Sequence, residues 1–211
     1  YKIYRNTFAE FGLGIKTGID LPIESEGFKG KSDTPSLLLD FAIGQYDSYT
    51  PIQMTQYINT IANNGYRLQL HFLKAVYEPT DIPLTNLSYE FETNILNKVN
   101  TLDIYIQRVK QGFKSVMETN GTGVGYINSK YKPAGKTGTS QSIIDTNNDG
   151  YVDTMLLNHT FVSYAPFDDP KVTFTVISPN IFNYKGKSNS KNYVNMKISR
   201  AISKKFFEIY K

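Results

Sequence analysis

The sequence of 211 residues has no cysteine, no tryptophan and only two histidines. The absence of cysteine excludes a disulfide framework, a cysteine nucleophile and a thiolate-bound metal, and two histidines would need carboxylates to complete a zinc site. Uncharged apolar runs are short, none approaching the ~18 residues that cross a bilayer, and no apolar stretch follows the basic start of the chain. We therefore expect neither a membrane span nor an export signal within these residues.

Arginine is scarce, with four residues against 19 lysines. Residues 185–211 nevertheless carry eight basic side chains and a single acidic one, so this end of the chain is strongly positive. Basic segments bind nucleic acid or anionic polymers in some proteins, but arginine binds phosphate better than lysine does, and base-stacking and groove-reading motifs are missing. We interpret this segment as a solvent-exposed face and expect no nucleic-acid partner.

Hydrophobic residues make up 40% of the sequence, enough to bury the core of one domain or of two small ones. Within the first half of the chain, helical patterns dominate. Thr50 and Gln53 form a capping-box pattern, which predicts a helix over residues 51–63. A second helix is predicted over residues 103–118, with one side formed by Ile106, Val109, Phe113 and Met117.

The second half changes to strand patterns, over residues 134–143, 158–164 and 172–177. In the third run, apolar residues alternate with their neighbours at the period of two that is typical of a strand. An amphipathic helix over residues 193–210 closes the chain, with Val194, Ile198, Ala201, Ile202, Lys205, Phe206 and Ile209 on one side. The order of elements predicts an α+β fold in which helices flank an antiparallel sheet.

The first of these strands contains the segment most suited to catalysis. Gly135 and Gly138 allow the backbone of a ligand to approach the strand closely. Lys136 offers a positive charge, Thr137 and Thr139 offer hydroxyl groups, and an unpaired strand N–H can donate to an oxyanion. This combination suits an acyl-transfer enzyme whose substrate ends in a carboxylate.

A K-T-G triplet alone is weak support, because the chain has a second copy at Lys16-Thr17-Gly18. This copy lies in a glycine-rich segment that follows residues 8–11 and ends at Pro22. The density of glycine and the proline rule out a helix that continues from residues 8–11 through this segment. We predict a structured loop here and interpret the second triplet as a turn.

Several short motifs are spread along the chain: Phe11-Gly12-Leu13-Gly14, residues 16–22 with Glu24, Ala42-Ile43-Gly44-Gln45, Thr50-Pro51-Ile52-Gln53, residues 61–65, residues 135–139 and residues 158–166. Together these motifs resemble the transpeptidase domain of monofunctional (class B) penicillin-binding proteins. The likeness covers nearly the whole sequence, and the excess of lysine over arginine further suggests a low-GC Gram-positive source.

The resemblance implies the fold of serine β-lactamases and penicillin-binding proteins, and the activity of a D,D-transpeptidase that cross-links peptidoglycan stem peptides through a serine acyl-enzyme. β-Lactams would acylate the same serine, and no cofactor is implied. Lys136 would assist proton transfer electrostatically and attract the carboxylate of the substrate. Thr137 and Thr139 would hydrogen-bond that carboxylate beside Gly138. The backbone N–H of Thr139 would donate a hydrogen bond to the oxyanion. The family places its catalytic domain on the extracytoplasmic face of the cell membrane.

The nucleophile motifs of the family, S-x-x-K and S-x-N, would precede the glycine-rich loop, where Tyr1 leaves no room for them. Pattern matches elsewhere are in the wrong place; they are Ser129 with Lys132, Ser188 with Lys191, Ser178 with Asn180, and Ser190 with Asn192. We therefore expect the C-terminal portion of one transpeptidase domain, without its first strands and nucleophile helix. Residues 1–125 would form the mainly helical part of that domain, and residues 126–211 would form its sheet strands and last helix. The missing N-terminal part of the same protein would be a partner of this chain.

Residues 145–153 resemble a calcium loop, with oxygen-bearing side chains at alternate positions: Asp145, Asn147, Asp149 and Asp153. Leu156 stands where a bidentate glutamate is expected, so a polar hairpin turn is the favoured interpretation and no metal is assigned. His71 and His159 are interpreted as structural, because no carboxylate recurs at metal-ligand spacing from either.

Three other functions remain open from the sequence. A serine β-lactamase and a β-lactam sensor domain would share the fold, whereas a non-catalytic module that binds wall polymer is an alternative of another class. The K-T-G strand at residues 136–138 argues against the binding module, which does not need a site for a carboxylate and an oxyanion.

Overall fold

The computed structural model describes residues 1–31, 35–181 and 194–210. These residues form five α-helices: α1 (Lys2–Glu10), α2 (Leu38–Ala42), α3 (Pro51–Ala62), α4 (Asp103–Met117) and α5 (Val194–Ile209). They also form seven strands: β1 (Tyr66–Leu68), β2 (Ala75–Tyr77), β3 (Leu87–Glu90), β4 (Ile95–Lys98), β5 (Ala134–Ile144), β6 (Thr154–Ala165) and β7 (Val172–Ile181). The predicted α+β class is confirmed.

The main sheet consists of β5, β6 and β7, antiparallel and in that order. All three predicted strands are confirmed, and each continues beyond its sequence pattern. Two further antiparallel pairs, β1 with β4 and β2 with β3, were not predicted and lie within the first 125 residues. The mainly helical first part therefore also contains short strands.

Helices α3 and α4 cover one face of the main sheet. Ile58 and Ile61 of α3 and Phe113 of α4 cluster with Val162 and Tyr164 of β6, all of them buried. On the opposite face Phe161, Phe174 and Val176 form a second cluster with Ile127 and with Met117, the last residue of α4. The three-stranded sheet thus has an apolar cluster on each face.

The start of α3 confirms the predicted capping box. The hydroxyl of Thr50 accepts a hydrogen bond from the Gln53 N–H at 3.3 Å, and the Gln53 side chain accepts one from the Thr50 N–H at 3.0 Å. Asn64 and Gly65 end the helix with φ of 54° and 88°. Asparagine and glycine tolerate this left-handed conformation, so local sequence determines both ends of α3.

Helix α4 is confirmed, but one residue of its predicted apolar side is wrong. Val109 is exposed, and the neighbouring Lys110 is buried instead, with 6% of its surface accessible. Its ammonium donates hydrogen bonds to the Ala62 carbonyl at 3.2 Å and to the Asn64 side chain at 2.8 Å. Burial lowers the pKa of Lys110. The aliphatic part of the lysine side chain fills a core position, while its ammonium group donates hydrogen bonds at the C-terminal end of α3.

Helix α5 lies on the sheet through small polar side chains, so the predicted apolar side is not its buried one. Asn195, Ser199 and Ser203 are buried, whereas Ile198 and Ile202 are exposed. Serine and asparagine allow close approach of helix and sheet, and burial of their polar groups costs free energy unless they are hydrogen-bonded. The Ser199 hydroxyl has no such partner among the described residues, whereas Asn195 has three. The position of Tyr193 in the predicted helix lies outside the described residues.

Asn195 provides the main polar contact of α5 with the sheet. Its amide donates to the carbonyls of His159 at 2.9 Å and Val176 at 3.1 Å, and its side-chain oxygen accepts from the Ser178 hydroxyl. These tertiary bonds orient the helix, because turning its apolar side inward would leave both backbone carbonyls without this donor.

Helix α1, which was not predicted, is joined to the segment before α3 by an ion pair. The Arg5 guanidinium donates to both carboxylate oxygens of Asp47, at 2.8 and 2.7 Å, and to the Gly30 carbonyl at 2.7 Å. The Gly30 N–H also donates to Asp47 at 2.9 Å. Burial acts to raise the pKa of Asp47, but the hydrogen bonds from Arg5 and Gly30 outweigh it and lower that pKa below its ordinary value.

Across residues 1–31, 35–181 and 194–210, no helix is both long enough and apolar enough to pass through a membrane.

Candidate active site

The Lys136–Thr139 segment lies on β5, at one edge of the main sheet. Among the described strands it pairs with β6 alone, in a register that places Lys136 opposite Val162 and Thr139 opposite His159. Lys136, Gly138 and Thr139 are exposed and Thr137 is half-buried, whereas the two residues before them are buried. The strand therefore leaves the core at Lys136 and presents the predicted site residues to solvent.

Gly135 is required at the point where the strand emerges. A side-chain carbon at this position would lie 2.7 Å from the Val162 carbonyl oxygen and 3.2 Å from the Phe161 ring. The first contact is with backbone, which cannot move away cheaply. The prediction that Gly135 admits the backbone of a ligand is therefore wrong, because this buried glycine admits β6 instead. Gly138 has only ordinary contacts and is exposed.

The Lys136 ammonium donates a hydrogen bond of 2.6 Å to the Thr137 carbonyl on its own strand. In an antiparallel pair, a residue directs its N–H and C=O to the same side, and successive residues alternate. The contact of the Thr137 carbonyl with the ammonium indicates that Thr137, and with it Thr139, directs its backbone groups to the side of the strand away from β6. An exposed strand edge with this alternation supplies donors to a ligand lying beside it.

Thr122, which the sequence did not single out, contacts this edge from the turn after α4. Its hydroxyl oxygen lies 3.0 Å from the hydroxyl oxygen of Thr137. A polar strip continues along the strand, where the Asn158 amide donates to the hydroxyl of Ser142 at 2.6 Å. Both contacts join residues that are more than a dozen positions apart, so the linear pattern gave no signal for either.

The family model for the penicillin-binding protein transpeptidase domain matches residues 2–203 of the chain. The chain belongs to the penicillin-binding protein transpeptidase family. Penicillin-binding protein 2A of Bacillus subtilis (strain 168) is 41% identical to it over 212 residues, covering 99% of the chain and 29% of that protein.

Solved structures of penicillin-binding proteins share the fold. Penicillin-binding protein 2B from Streptococcus pneumoniae (strain R6) has a TM-score of 0.81 and 34% identity, over 97% of this chain and 32% of that one. Penicillin-binding protein 3 from Mycobacterium tuberculosis, solved in complex with ampicillin, has a TM-score of 0.74 and 25% identity, over 100% of this chain and 46% of that one. The chain thus spans less than half the length of each of these three relatives. The predicted resemblance is confirmed.

The second K-T-G triplet of this penicillin-binding protein domain lies in an irregular loop, where Lys16 and Gly18 are exposed and only Thr17 is buried. Thr17 is fully buried, and its N–H and hydroxyl donate to the Glu24 carboxylate at 2.7 and 2.5 Å. Its carbonyl accepts from the Gln56 amide at 2.9 Å, and Gly18 has φ of 81°. The polar groups of Thr17 are used within the fold, which agrees with a structural interpretation of this copy, although the loop there is irregular and not a regular turn.

The described serine matches to the nucleophile motifs have other surroundings. Ser129 begins a 3-10 turn, Ser129–Tyr131, which ends at Lys132 with φ of 47°, so the two residues are not one α-helical turn apart. The Ser178 hydroxyl donates to Asn195, as described above. The matches at residues 188–191 and 190–192 lie outside the described residues.

The calcium-like segment joins β5 to β6 as the hairpin turn that was favoured. The Asp145 carboxylate accepts from the N–H groups of Asn147, Asp149 and Gly150, at 3.2, 3.3 and 2.7 Å. Asp153 accepts from the hydroxyl of Thr146 at 2.7 Å, a bond that lowers the pKa of Asp153. In the part of the chain that the structure describes, no three side chains of the metal-binding types gather.

The two histidines have different surroundings. His71 stacks on Phe91 with 3.7 Å between ring centroids, and its Nδ1 lies 3.0 Å from the Leu73 carbonyl oxygen. His159 lies on β6 opposite Thr139, and its carbonyl accepts from Asn195. These contacts agree with the structural interpretation of both residues.

Proposed function

We propose that this chain is part of a D,D-transpeptidase that cross-links peptidoglycan stem peptides through a serine acyl-enzyme and that β-lactams inhibit. The observation that carries the proposal is the position of the Lys136 ammonium on β5, an edge strand of the main sheet, where it contacts the Thr137 carbonyl of the same strand. Membership of the family supports the reaction class.

In the first step, a serine oxygen attacks the carbonyl carbon of the peptide bond between the last two D-alanines of a stem peptide. That bond breaks, the terminal D-alanine leaves with the proton from the serine, and an ester joins the peptide to the enzyme. An amine of a second stem peptide then attacks the ester, forms the new amide, and returns a proton to the serine.

Lys136 has two roles in this proposal. Its ammonium supports the proton transfers electrostatically and attracts the C-terminal carboxylate of the stem peptide. The contact with the Thr137 carbonyl holds the charge along the strand, where a ligand extended beside β5 would lie. The side chain is exposed and can therefore reach a bound substrate.

The threonines and Gly138 form the substrate side of the proposed site. The hydroxyls of Thr137 and Thr139 donate to the substrate carboxylate, and the outward N–H of Thr139 donates to the oxyanion of the tetrahedral intermediate. Gly138, exposed and without a side chain, leaves room for the substrate backbone. A single oxyanion donor typically contributes a factor of about 10² to 10³ in rate.

The nucleophilic serine is proposed to lie in a part of the protein outside residues 1–211. The described serine matches serve local structure, and the relatives are more than twice as long as this chain. Residues 1–211 would then be the C-terminal portion of one transpeptidase domain, and the other part of the same protein would be its partner. The proposed location, by family membership, is the extracytoplasmic face of the cell membrane.

Acylation of the full protein by fluorescent benzylpenicillin tests the function. We expect covalent labelling of the wild type, and a rate about 10²- to 10⁴-fold lower for Lys136→Ala, the range typical of a residue that assists proton transfer. Lys171→Ala, at an exposed lysine in the turn before β7 that pairs with Asp169, is the matched control and should label normally. An unlabelled wild type, or equal rates for both variants, would contradict the proposal.

A further inference from the structure

The hydroxyl pair formed by Thr122 and Thr137 connects the turn after α4 to the site strand. The two oxygens are 3.0 Å apart, and either hydroxyl can be the donor. Thr122 is exposed and Thr137 is half-buried, so the pair lies at the surface where the strand leaves the core. The contact is therefore next to the edge that the proposed function assigns to the substrate.

The turn that carries Thr122 packs closely against the end of α4. Gly121 and Gly123 flank the threonine, and the Gly123 N–H donates to the Val116 carbonyl at 2.9 Å. A side-chain carbon on Gly121 would lie 2.1 Å from that carbonyl oxygen, and one on Gly123 would lie 2.5 Å from the Met117 sulfur. The backbone on both sides of Thr122 is thus fixed by close packing, so its hydroxyl is presented to β5 in a defined position.

The two hydroxyl hydrogens of the pair determine whether Thr137 can donate a hydrogen bond to a bound anion. A threonine hydroxyl has one hydrogen to donate and two lone pairs that accept, whereas a carboxylate only accepts. When Thr122 donates to Thr137, the hydrogen of Thr137 is free for an anion; in the reverse orientation it is used within the pair. A bound carboxylate therefore selects the orientation in which Thr122 donates, and the two bonds strengthen each other.

We infer that Thr122 is a positioning residue for carboxylate recognition: it fixes the Thr137 hydroxyl so that this group donates its hydrogen to the carboxylate of the substrate or of a β-lactam. This role rests on the proposed function, in which Thr137 contacts the carboxylate. Thr122 itself acts through Thr137. Its effect is consequently limited to ligands that carry the anion.

The test compares acylation of the full protein by benzylpenicillin and by benzylpenicillin methyl ester, which lacks the anionic carboxylate. Thr122→Val keeps the shape of the side chain but removes the hydroxyl. We expect it to lower the second-order rate constant for the acid about two- to tenfold, the effect of one neutral hydrogen bond, and to leave the rate for the ester unchanged. Thr122→Ser should restore the rate for the acid.

A matched control is the exposed hydroxyl pair of Thr80 and Thr85, with oxygens 3.1 Å apart, in the connection between β2 and β3. Thr85→Val should not change either rate constant. In a Thr137→Val background, Thr122→Val should have no further effect, because the positioned group is already absent.

The outcomes separate this inference from the proposed function. A wild type that neither β-lactam acylates overturns the proposed function and with it the role of Thr122. A wild type that is acylated normally, with Thr122→Val equal to it, overturns only the role of Thr122. Equal losses for the acid and the ester, or a Thr122→Ser variant as slow as Thr122→Val, would indicate a purely structural residue and also overturn it.

Discussion

The buried ammonium of Lys110 on α4 donates a hydrogen bond of 2.8 Å to the side chain of Asn64, the left-handed residue just beyond α3. The same ammonium donates to the Ala62 carbonyl, one of the last carbonyls of α3. A helix end leaves such carbonyls without partners inside the helix, and a cation there also interacts favourably with the helix dipole. Lys110 therefore joins the two helices that cover one face of the sheet.

Replacing Lys110 with methionine tests this contact. We expect the free energy of unfolding to fall by about 1–3 kcal/mol, because the buried Ala62 carbonyl loses its donor while the aliphatic volume is kept. Urea unfolding followed by circular dichroism measures the change. Lys204→Met, at an exposed position of α5, should change stability by less than about 0.5 kcal/mol. Equal stability of the two variants would mean that the contact contributes nothing.

Two glycine-to-alanine substitutions should change stability in opposite directions. Gly12 has φ of 91°, and a side-chain carbon there would lie 2.3 Å from the Gln56 side-chain oxygen. Gln56 is buried and holds the glycine-rich loop, so Gly12→Ala should destabilise by about 1–3 kcal/mol. Gly112 lies in α4 with open space around it, so Gly112→Ala should stabilise by about 0.5–1 kcal/mol. Thermal unfolding measures the stability of both variants relative to the wild type. A Gly112→Ala variant less stable than the wild type would contradict the helical assignment of this residue.

The Arg5–Asp47 pair predicts a specific loss of stability in acid. The pKa of Asp47 is lower in the folded protein than its unfolded value of about 3.9, so the folded state favours the charged carboxylate. Its contribution is complete above that pH and is lost as the pH falls through the folded pKa. Asp47→Asn should be less stable near neutral pH and show a shallower decline below about pH 4. Parallel stability profiles for the wild type and the variant, measured by urea unfolding from pH 6 downward, would contradict this.

The lifetime of the acyl-enzyme distinguishes a transpeptidase from a β-lactamase of the same fold. We expect the benzylpenicillin adduct to persist after excess drug is removed, because the proposed second step transfers the acyl group to an amine and not to water. Intact mass measured over time follows the adduct. Its disappearance within seconds would identify a β-lactamase instead.

The sequence predicted those elements whose signals are local. The Thr50 and Gln53 capping box fixed the start of α3, and the alternation of residues 172–177 identified β7. Helix α1 was missed because Tyr1 provides no side-chain cap and the helix buries no residue completely. Strands β1 to β4 have only three or four residues each, mostly exposed, which is too short for a periodic pattern.

The remaining differences arise from tertiary contacts. The apolar side of α5 was a reasonable prediction from spacing, but the hydrogen bonds of Asn195 to two strands turn the polar stripe inward. The sequence predicted that Val109 is buried, whereas it is Lys110 that is buried. The hydrogen-bond partners of the Lys110 ammonium lie at the end of α3, distant in sequence, so the helical spacing of α4 could not indicate them. At the site, Lys136 to Thr139 were identified from residue types, whereas Thr122 became visible only when the turn after α4 was positioned beside β5.

Identifying the acylated residue tests the central proposal most directly. The full protein is labelled with benzylpenicillin and digested, and the modified peptide is sequenced by mass spectrometry. We predict a single acylated serine outside residues 1–211, with labelling that depends on Lys136. Modification of Ser129, Ser178 or any other serine within residues 1–211 would contradict a site in which this chain supplies the K-T-G strand and another part of the protein supplies the nucleophile.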